Sequence, residues 1–119
     1  MELNDSVVNK PVRVRFEGGG MRDSQNGKPR FDLLLPERVP YEHQYLTRIA
    51  RLMAKGAAHY EARNWEKFDD QEALDRAKSS AFRHFMQWFN GETDEDHAAA
   101  IFFNVQAVEY IKGRMNGDW

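Results

Sequence analysis

The chain has 119 residues, 41% of them hydrophobic and 13% aromatic, a composition that excludes intrinsic disorder and sets the scale of one domain with a modest core. With 17 basic against 19 acidic residues the net charge is −2, which argues against nucleic acid as a partner, because a strongly basic face would be expected. There is no cysteine, which excludes disulfides, thiolate zinc sites and a cysteine nucleophile, and no apolar run approaches the roughly 20 residues that span a membrane.

Residues 1–40 read as an extended arm. Val12-Arg13-Val14-Arg15-Phe16 alternates apolar and polar side chains, as a short strand does. Gly18-Gly19-Gly20 and Asn26-Gly27 mark turning backbone. The glycine run is not a phosphate-binding loop, since no Gly-Lys-Ser/Thr follows it. Lys28 and Arg30 then precede the apolar anchor Phe31 and Leu33-Leu34-Leu35. All four prolines fall at or before Pro40, and from there on the periodicity is helical.

Residues 41–119 predict three helices. The first runs from Glu42 to Tyr60, with Tyr45, Leu46, Ile49, Leu52, Met53, Ala57 and Tyr60 on one face. The second runs from Gln71 to Asn90, with Leu74, Ala77, Ala81, Phe82, Phe85, Trp88 and Phe89 inward, and Gly91 suits the position just past its end. The third runs from Asp94 to Gly113, N-capped by Thr93, with Ile101, Phe102, Val105, Val108 and Ile111 inward. The expectation is an all-α fold: one domain, a small bundle of three to four helices with an extended N-terminal arm. Three helices of this length bury limited area, so a homo-oligomer, dimer or tetramer, is expected to complete the bundle.

The chemistry concentrates after the second helix. Glu92, Asp94, Glu95 and Asp96 place four carboxylates within five residues. Such a cluster suits a hard divalent cation, Mg2+ or Mn2+, which prefers oxygen ligands. The competing account is that acids gather in a helix's first turn because the macrodipole favours them there. Four acids exceed what capping needs, since like charges this close repel. Asp96, Ala100 and Asn104 also share one stripe of an otherwise apolar helix, and a buried amide requires a partner. Arg83 and His84, one turn from Ser80 and Gln87, form a polar stripe suited to phosphate, against the plainer reading of a surface arginine and a core histidine. His59 and His97 carry weaker signals. Tyr60 and Trp65 can stack on a base and Asn64 can read its edge, or both rings simply pack. Metal plus phosphate is the chemistry of nucleotide hydrolysis.

The ordered set Lys28-Pro29-Arg30-Phe31-Asp32-Leu33-Leu34-Leu35-Pro36, Gly56-Ala57-Ala58-His59-Tyr60 with Asn64-Trp65-Glu66, Arg83-His84, Gly91-Glu92 with Asp94-Glu95-Asp96-His97, and Asn104 resembles the phage dATP/dGTP diphosphohydrolase (MazZ-like) domain over roughly residues 20–110. That family is similar to the all-α nucleotide pyrophosphohydrolases of the MazG kind. The resemblance implies an oligomeric, Mg2+-dependent enzyme of phage nucleotide metabolism, located in the cytoplasm (the host's, if phage-encoded). It would hydrolyse a purine deoxynucleoside triphosphate, dGTP or dATP, to the monophosphate and pyrophosphate. MazG-type enzymes carry Glu-x-x-Glu on one helix and Glu-x-x-Asp on the next. Here Glu92-x-x-Glu95 is present, but no Glu-x-x-Asp follows it; Glu72 and Asp75, a pair of that spacing, precede it.

The expected site follows. Glu92, Glu95 and Asp96 hold the metal, with Glu61 and Glu66 as candidates for a further acid. Arg83 with Lys28 or Arg30 neutralises the polyphosphate, and His84 hydrogen-bonds it. Tyr60, Asn64, Trp65 and Asn104 line the nucleoside end. Two rival readings stand beside this one. A dNTP triphosphohydrolase would release triphosphate, although the chain lacks a His-Asp pair. A non-catalytic helical phage protein would bind a partner through the same surface.

Overall fold

The computed structural model describes residues 12–24 and 26–119, so the first eleven residues of the arm expected over 1–40 lie outside it. The described residues form two compact units divided between Glu37 and Arg38.

The first unit contains an antiparallel ribbon. Strand β1, Arg13–Arg15, pairs with β2, Met21–Asp23, so that Arg13 faces Asp23, Val14 faces Arg22 and Arg15 faces Met21. The chain reverses between them with Gly19 at φ 91°, a conformation that glycine adopts without a Cβ penalty. Both strands are exposed along their length, and the apolar anchor folds into a 3-10 turn, Phe31–Leu34, whose side chains are exposed as well.

The second unit is helical. After a 3-10 turn at Tyr41–His43 come α1 (Tyr45–His59), a second 3-10 turn (Asn64–Lys67), α2 (Gln71–Phe89) and α3 (His97–Met115). Helix α3 is central: α2 packs along it and α1 packs on it as well. Leu74 and Ala77 of α2 meet Ala107, Val108 and Ile111 of α3 in the core, and Trp65, Ala73 and Tyr110 pack against that cluster. Asp70 caps α2 by accepting the Ala73 N–H at 2.9 Å. Helix α2 ends as the sequence indicates. Gly91, at φ 80°, lets the Glu92 N–H reach the Gln87 carbonyl at 3.0 Å and the Gly91 N–H reach the Trp88 carbonyl at 3.1 Å. Helix α3 stops in the same way around Gly117, with the Asp118 N–H on the Gly113 carbonyl at 2.8 Å. No helix among the described residues is long and apolar enough to cross a membrane.

Two expectations need correction. Helix α3 begins at His97 rather than Asp94, and its cap is Asp96 rather than Thr93. An Asp carboxylate one residue before the helix reaches the Ala99 N–H at 3.1 Å, so the acids at 94 and 95 lie in the connecting loop. The apolar faces also differ. Phe82, Phe85, Trp88 and Phe89 are 66%, 44%, 50% and 79% exposed, while His84 is buried. Phe102 and Val105 of α3 are likewise exposed, and the buried positions are Ala99, Ala100, Ala107, Val108, Ile111 and Gly113 beside His97. A helix flanked by two others buries small residues on two sides, which a single-stripe reading does not capture.

Candidate functional site

The last turns of α2, the Gly91 reversal and the first turn of α3 bring the sequence's chemistry together. His84 projects from α2 and His97 opens α3, and both rings are buried. Their Nδ1 atoms lie 2.9 Å apart. His97 Nε2 is 2.7 Å from Asp94 Oδ1, and Arg83 Nη2 is 3.4 Å from His84 Nε2. The direction of each bond follows from the two ends. A guanidinium only donates and a carboxylate only accepts. His84 Nε2 therefore accepts from Arg83, His84 Nδ1–H donates to His97 Nδ1, and His97 Nε2–H donates to Asp94. This chain of bonds satisfies two imidazoles that would otherwise be costly to bury.

The electrostatics agree with the geometry. Burial, then the neighbouring Arg83 charge, hold the His84 imidazole below its ordinary pKa, against the opposing pull of Glu95 and Asp94, so it is neutral at pH 7. The bond from His97 holds the Asp94 carboxyl below the usual carboxylate range. Glu95 stands over the pair with Oε1 3.7 Å from His84 Nδ1 and a side chain 53% exposed.

Two overlapping groups bring three possible ligand atoms together. Ligand atoms of His84, Glu95 and His97 lie within 4.8 Å of one another, as do those of Glu92, Asp94 and His97. A divalent cation fits this donor set: two imidazole edges at the floor, carboxylates at the rim, and an open side facing solvent for water or substrate.

The remaining expected residues are placed as follows. Glu92 turns to the end of α2, accepting from Gln87 Nε2 at 3.3 Å and Asn90 Nδ2 at 3.4 Å. Asp96 faces α1, where Arg48 holds it with two bonds of 2.9 and 2.7 Å, and its Oδ1 also caps α3. That Arg48 bond lowers the Asp96 pKa. Arg83 is exposed and bonds Gln87 Oε1 at 3.0 Å. Asn104 donates to the Ala100 carbonyl one turn back at 2.8 Å. Asn64 opens the second 3-10 turn. Trp65 packs edge-on against Phe103 and Tyr110, and exposed Tyr60 meets the His59 ring edge-on as well. Glu61 pairs with Lys67, and Glu66 with Arg63 at 3.3 Å. Lys28 and Arg30 belong to the first unit. Arg30 there grips Asp32 with bonds of 2.9 and 2.7 Å, and Lys28 borders a shallow cavity with Val14, Phe16 and Met21.

The structure thus gathers Arg83, His84, Glu92 and Glu95, and adds two residues left out of the expected site: Asp94, named only as part of the acid cluster, and His97, read as a weaker signal. The spacing Asp94-x-x-His97 across a helix start was the available signal.

Residues 19–118 match the sequence profile of the family described as dATP/dGTP diphosphohydrolase, N-terminal. No curated protein and no solved structure matches the chain. With the match running through the acid cluster and both buried histidines, the chain belongs to the dATP/dGTP diphosphohydrolase family, in its N-terminal domain.

Proposed function

We propose that the chain hydrolyses purine deoxynucleoside triphosphates, dGTP or dATP, to the monophosphate and pyrophosphate with the help of a divalent cation, as part of phage nucleotide metabolism. The observation that carries this is the convergence of Arg83, His84, Glu92, Asp94, Glu95 and His97 at one reversal of the chain in a member of this family. A bound Mg2+ or Mn2+ supplies charge neutralisation on the phosphates and a more acidic water. The carboxylates of Glu95 and Glu92 are its expected ligands. Arg83, exposed beside them, binds the polyphosphate and offsets its charge. His84 lies beside both, its Nε2 3.4 Å from Arg83 Nη2 and its Nδ1 3.7 Å from Glu95 Oε1. Asp96, held by Arg48, supports the loop that carries the acids. Lys28, Arg30, Tyr60 and Asn64 are the further candidates for substrate contact.

A homo-oligomer belongs to the same reading. The large rings of α2 left exposed at Phe82, Phe85, Trp88 and Phe89 form the kind of aromatic surface that a second copy covers. Sedimentation velocity showing only monomer at micromolar concentration would remove this part.

Product analysis tests the whole. The protein is incubated with each dNTP and Mg2+ or Mn2+, and the products are separated by chromatography. Monophosphate plus pyrophosphate is expected from dGTP or dATP. Nucleoside plus triphosphate would replace the reading with a triphosphohydrolase. No turnover of any dNTP would leave a helical binding protein.

A further inference from the structure

We infer that His84 and His97 are themselves cation ligands, through their facing Nδ1 atoms with Glu95 as the third, so that this site takes a transition-metal cation of the Mn2+, Co2+ or Zn2+ class in preference to Mg2+. The inference rests on the reading of this cluster as a metal site and adds which atoms hold the cation and which class of cation they select.

Three observations carry it. The first is distance. Two nitrogens each about 2.1 Å from one cation lie roughly 3 Å apart at the right angles of octahedral coordination and roughly 3.4 Å apart at the tetrahedral angle. The His84 and His97 Nδ1 atoms are 2.9 Å apart, within about half an ångström of either separation. The second is the outer partner. A metal-bound imidazole characteristically gives its other N–H to a carboxylate, which fixes the tautomer and aims the lone pair. Asp94 does this for His97 at 2.7 Å, leaving His97 Nδ1 unprotonated and available as a ligand atom. The third is access. The two imidazoles form a buried floor, while the Glu95 side chain at the rim is 53% exposed, so a cation enters from Glu95's side and keeps open positions there.

The proton balance is simple. Without a cation, the His84 proton sits on Nδ1 and bonds His97. With one, that proton leaves Nδ1 and Nε2 carries one instead, so the ring stays neutral. Nε2–H then faces the Arg83 guanidinium, two donors opposed at 3.4 Å. Arg83 is exposed and keeps its bond to Gln87 Oε1, so it can turn away. Imidazole nitrogen favours the first-row transition metals, whereas Mg2+ favours carboxylate, carbonyl and water.

The test uses the whole chain, stripped with EDTA and dialysed. Long-range proton–nitrogen spectra of the histidine rings are recorded before and after adding Zn2+. The Nδ1 resonances of His84 and His97 are expected to move together at one equivalent, with those of His43 and His59 unmoved. Calorimetry with Zn2+, Co2+ and Mn2+ is expected to show binding roughly tenfold or more tighter than Mg2+. Glu95→Gln and His84→Gln should each weaken it, and Asp94→Asn should do so by about 10–100-fold while leaving the fold intact. A purely structural histidine pair predicts unmoved Nδ1 resonances, and that result overturns the inference. So does Zn2+ affinity unaffected by both Glu95→Gln and His84→Gln. The spectra read the wild-type protein, so a variant that fails to fold does not decide the outcome. Turnover of dNTP with unmoved nitrogens sinks this inference alone, and moved nitrogens without turnover sink the proposed reaction alone.

Discussion

Asp96 separates a structural carboxylate from a ligating one. Its two oxygens are already engaged: Arg48 takes both, at 2.9 and 2.7 Å, and the Ala99 N–H takes one at 3.1 Å. Asp96→Ala removes both the helix cap and the ion pair. A cap contributes about 1 kcal/mol. The pair is partly exposed, with side chains 39% and 35% accessible, so it adds roughly 0.5–1 kcal/mol. The expected loss of about 1.5–2 kcal/mol lowers the melting temperature of a domain this size by roughly 6–16 °C. Asp96→Asn keeps a good cap and loses only the charge, so its loss is about 0.5–1 kcal/mol and shrinks at high salt. Because Arg48 holds the Asp96 carboxyl below its ordinary value, this part of the stability is present above the unfolded pKa and disappears as the pH falls through the folded one. Thermal melts of both variants, with dNTP turnover per folded molecule, make the assay. Near-normal turnover is expected in Asp96→Asn. An unchanged melting temperature with abolished turnover would put this carboxylate on the cation and refute the structural assignment.

Other outcomes follow from the same geometry. Arg83→Ala should cut turnover roughly ten- to hundredfold with little change in melting temperature, since the exposed guanidinium gives up a charge-assisted contact to phosphate; normal kinetics would remove Arg83 from the site. Burial and Arg83 lower the His84 pKa against the pull of Glu95 and Asp94, so the unfolded chain binds the proton more readily and stability should fall as pH drops below about 6.5 toward the lower folded value. His84→Gln should flatten that part of a melting-temperature profile against pH, and an unchanged slope would count against a neutral buried imidazole. Trp65→Ala should cost about 2–4 kcal/mol by denaturant titration, because the ring packs between Phe103 and Tyr110; full stability with lost dNTP binding would restore Trp65 to the base.

What the sequence made legible was local. The helix count, the stop at Gly91 and the gathering of charge just beyond it all depend on neighbours within a turn or two, and each is found where periodicity and cap chemistry place it. The division of labour among the acids was not legible. Asp96 is claimed by Arg48, 48 residues earlier in the chain, and only the packing of α1 on α3 brings them together. Likewise, nothing local tells His84 that its partner is His97, 13 residues on, because that contact depends on the angle at which the Gly91 reversal returns the chain.

The aromatic face of α2 shows why the inward stripe was misread, and what the misreading reveals. Hydrophobic periodicity turns Phe82, Phe85, Trp88 and Phe89 toward the core, and burying them would stabilise the unit by roughly 1.5–3 kcal/mol each. The chain instead buries His84, which requires a partner for each ring nitrogen, and leaves those four rings exposed. Both departures fall within two turns of one helix, beside the loop that holds the carboxylates. Phe102 and Val105 of α3 are exposed as well, and clusters of such departures are expected where a chain gives up packing for function. Helix α2 sets His84 Nδ1 2.9 Å from His97 Nδ1, and the aromatic side that this leaves exposed is the surface that the proposed second copy would cover.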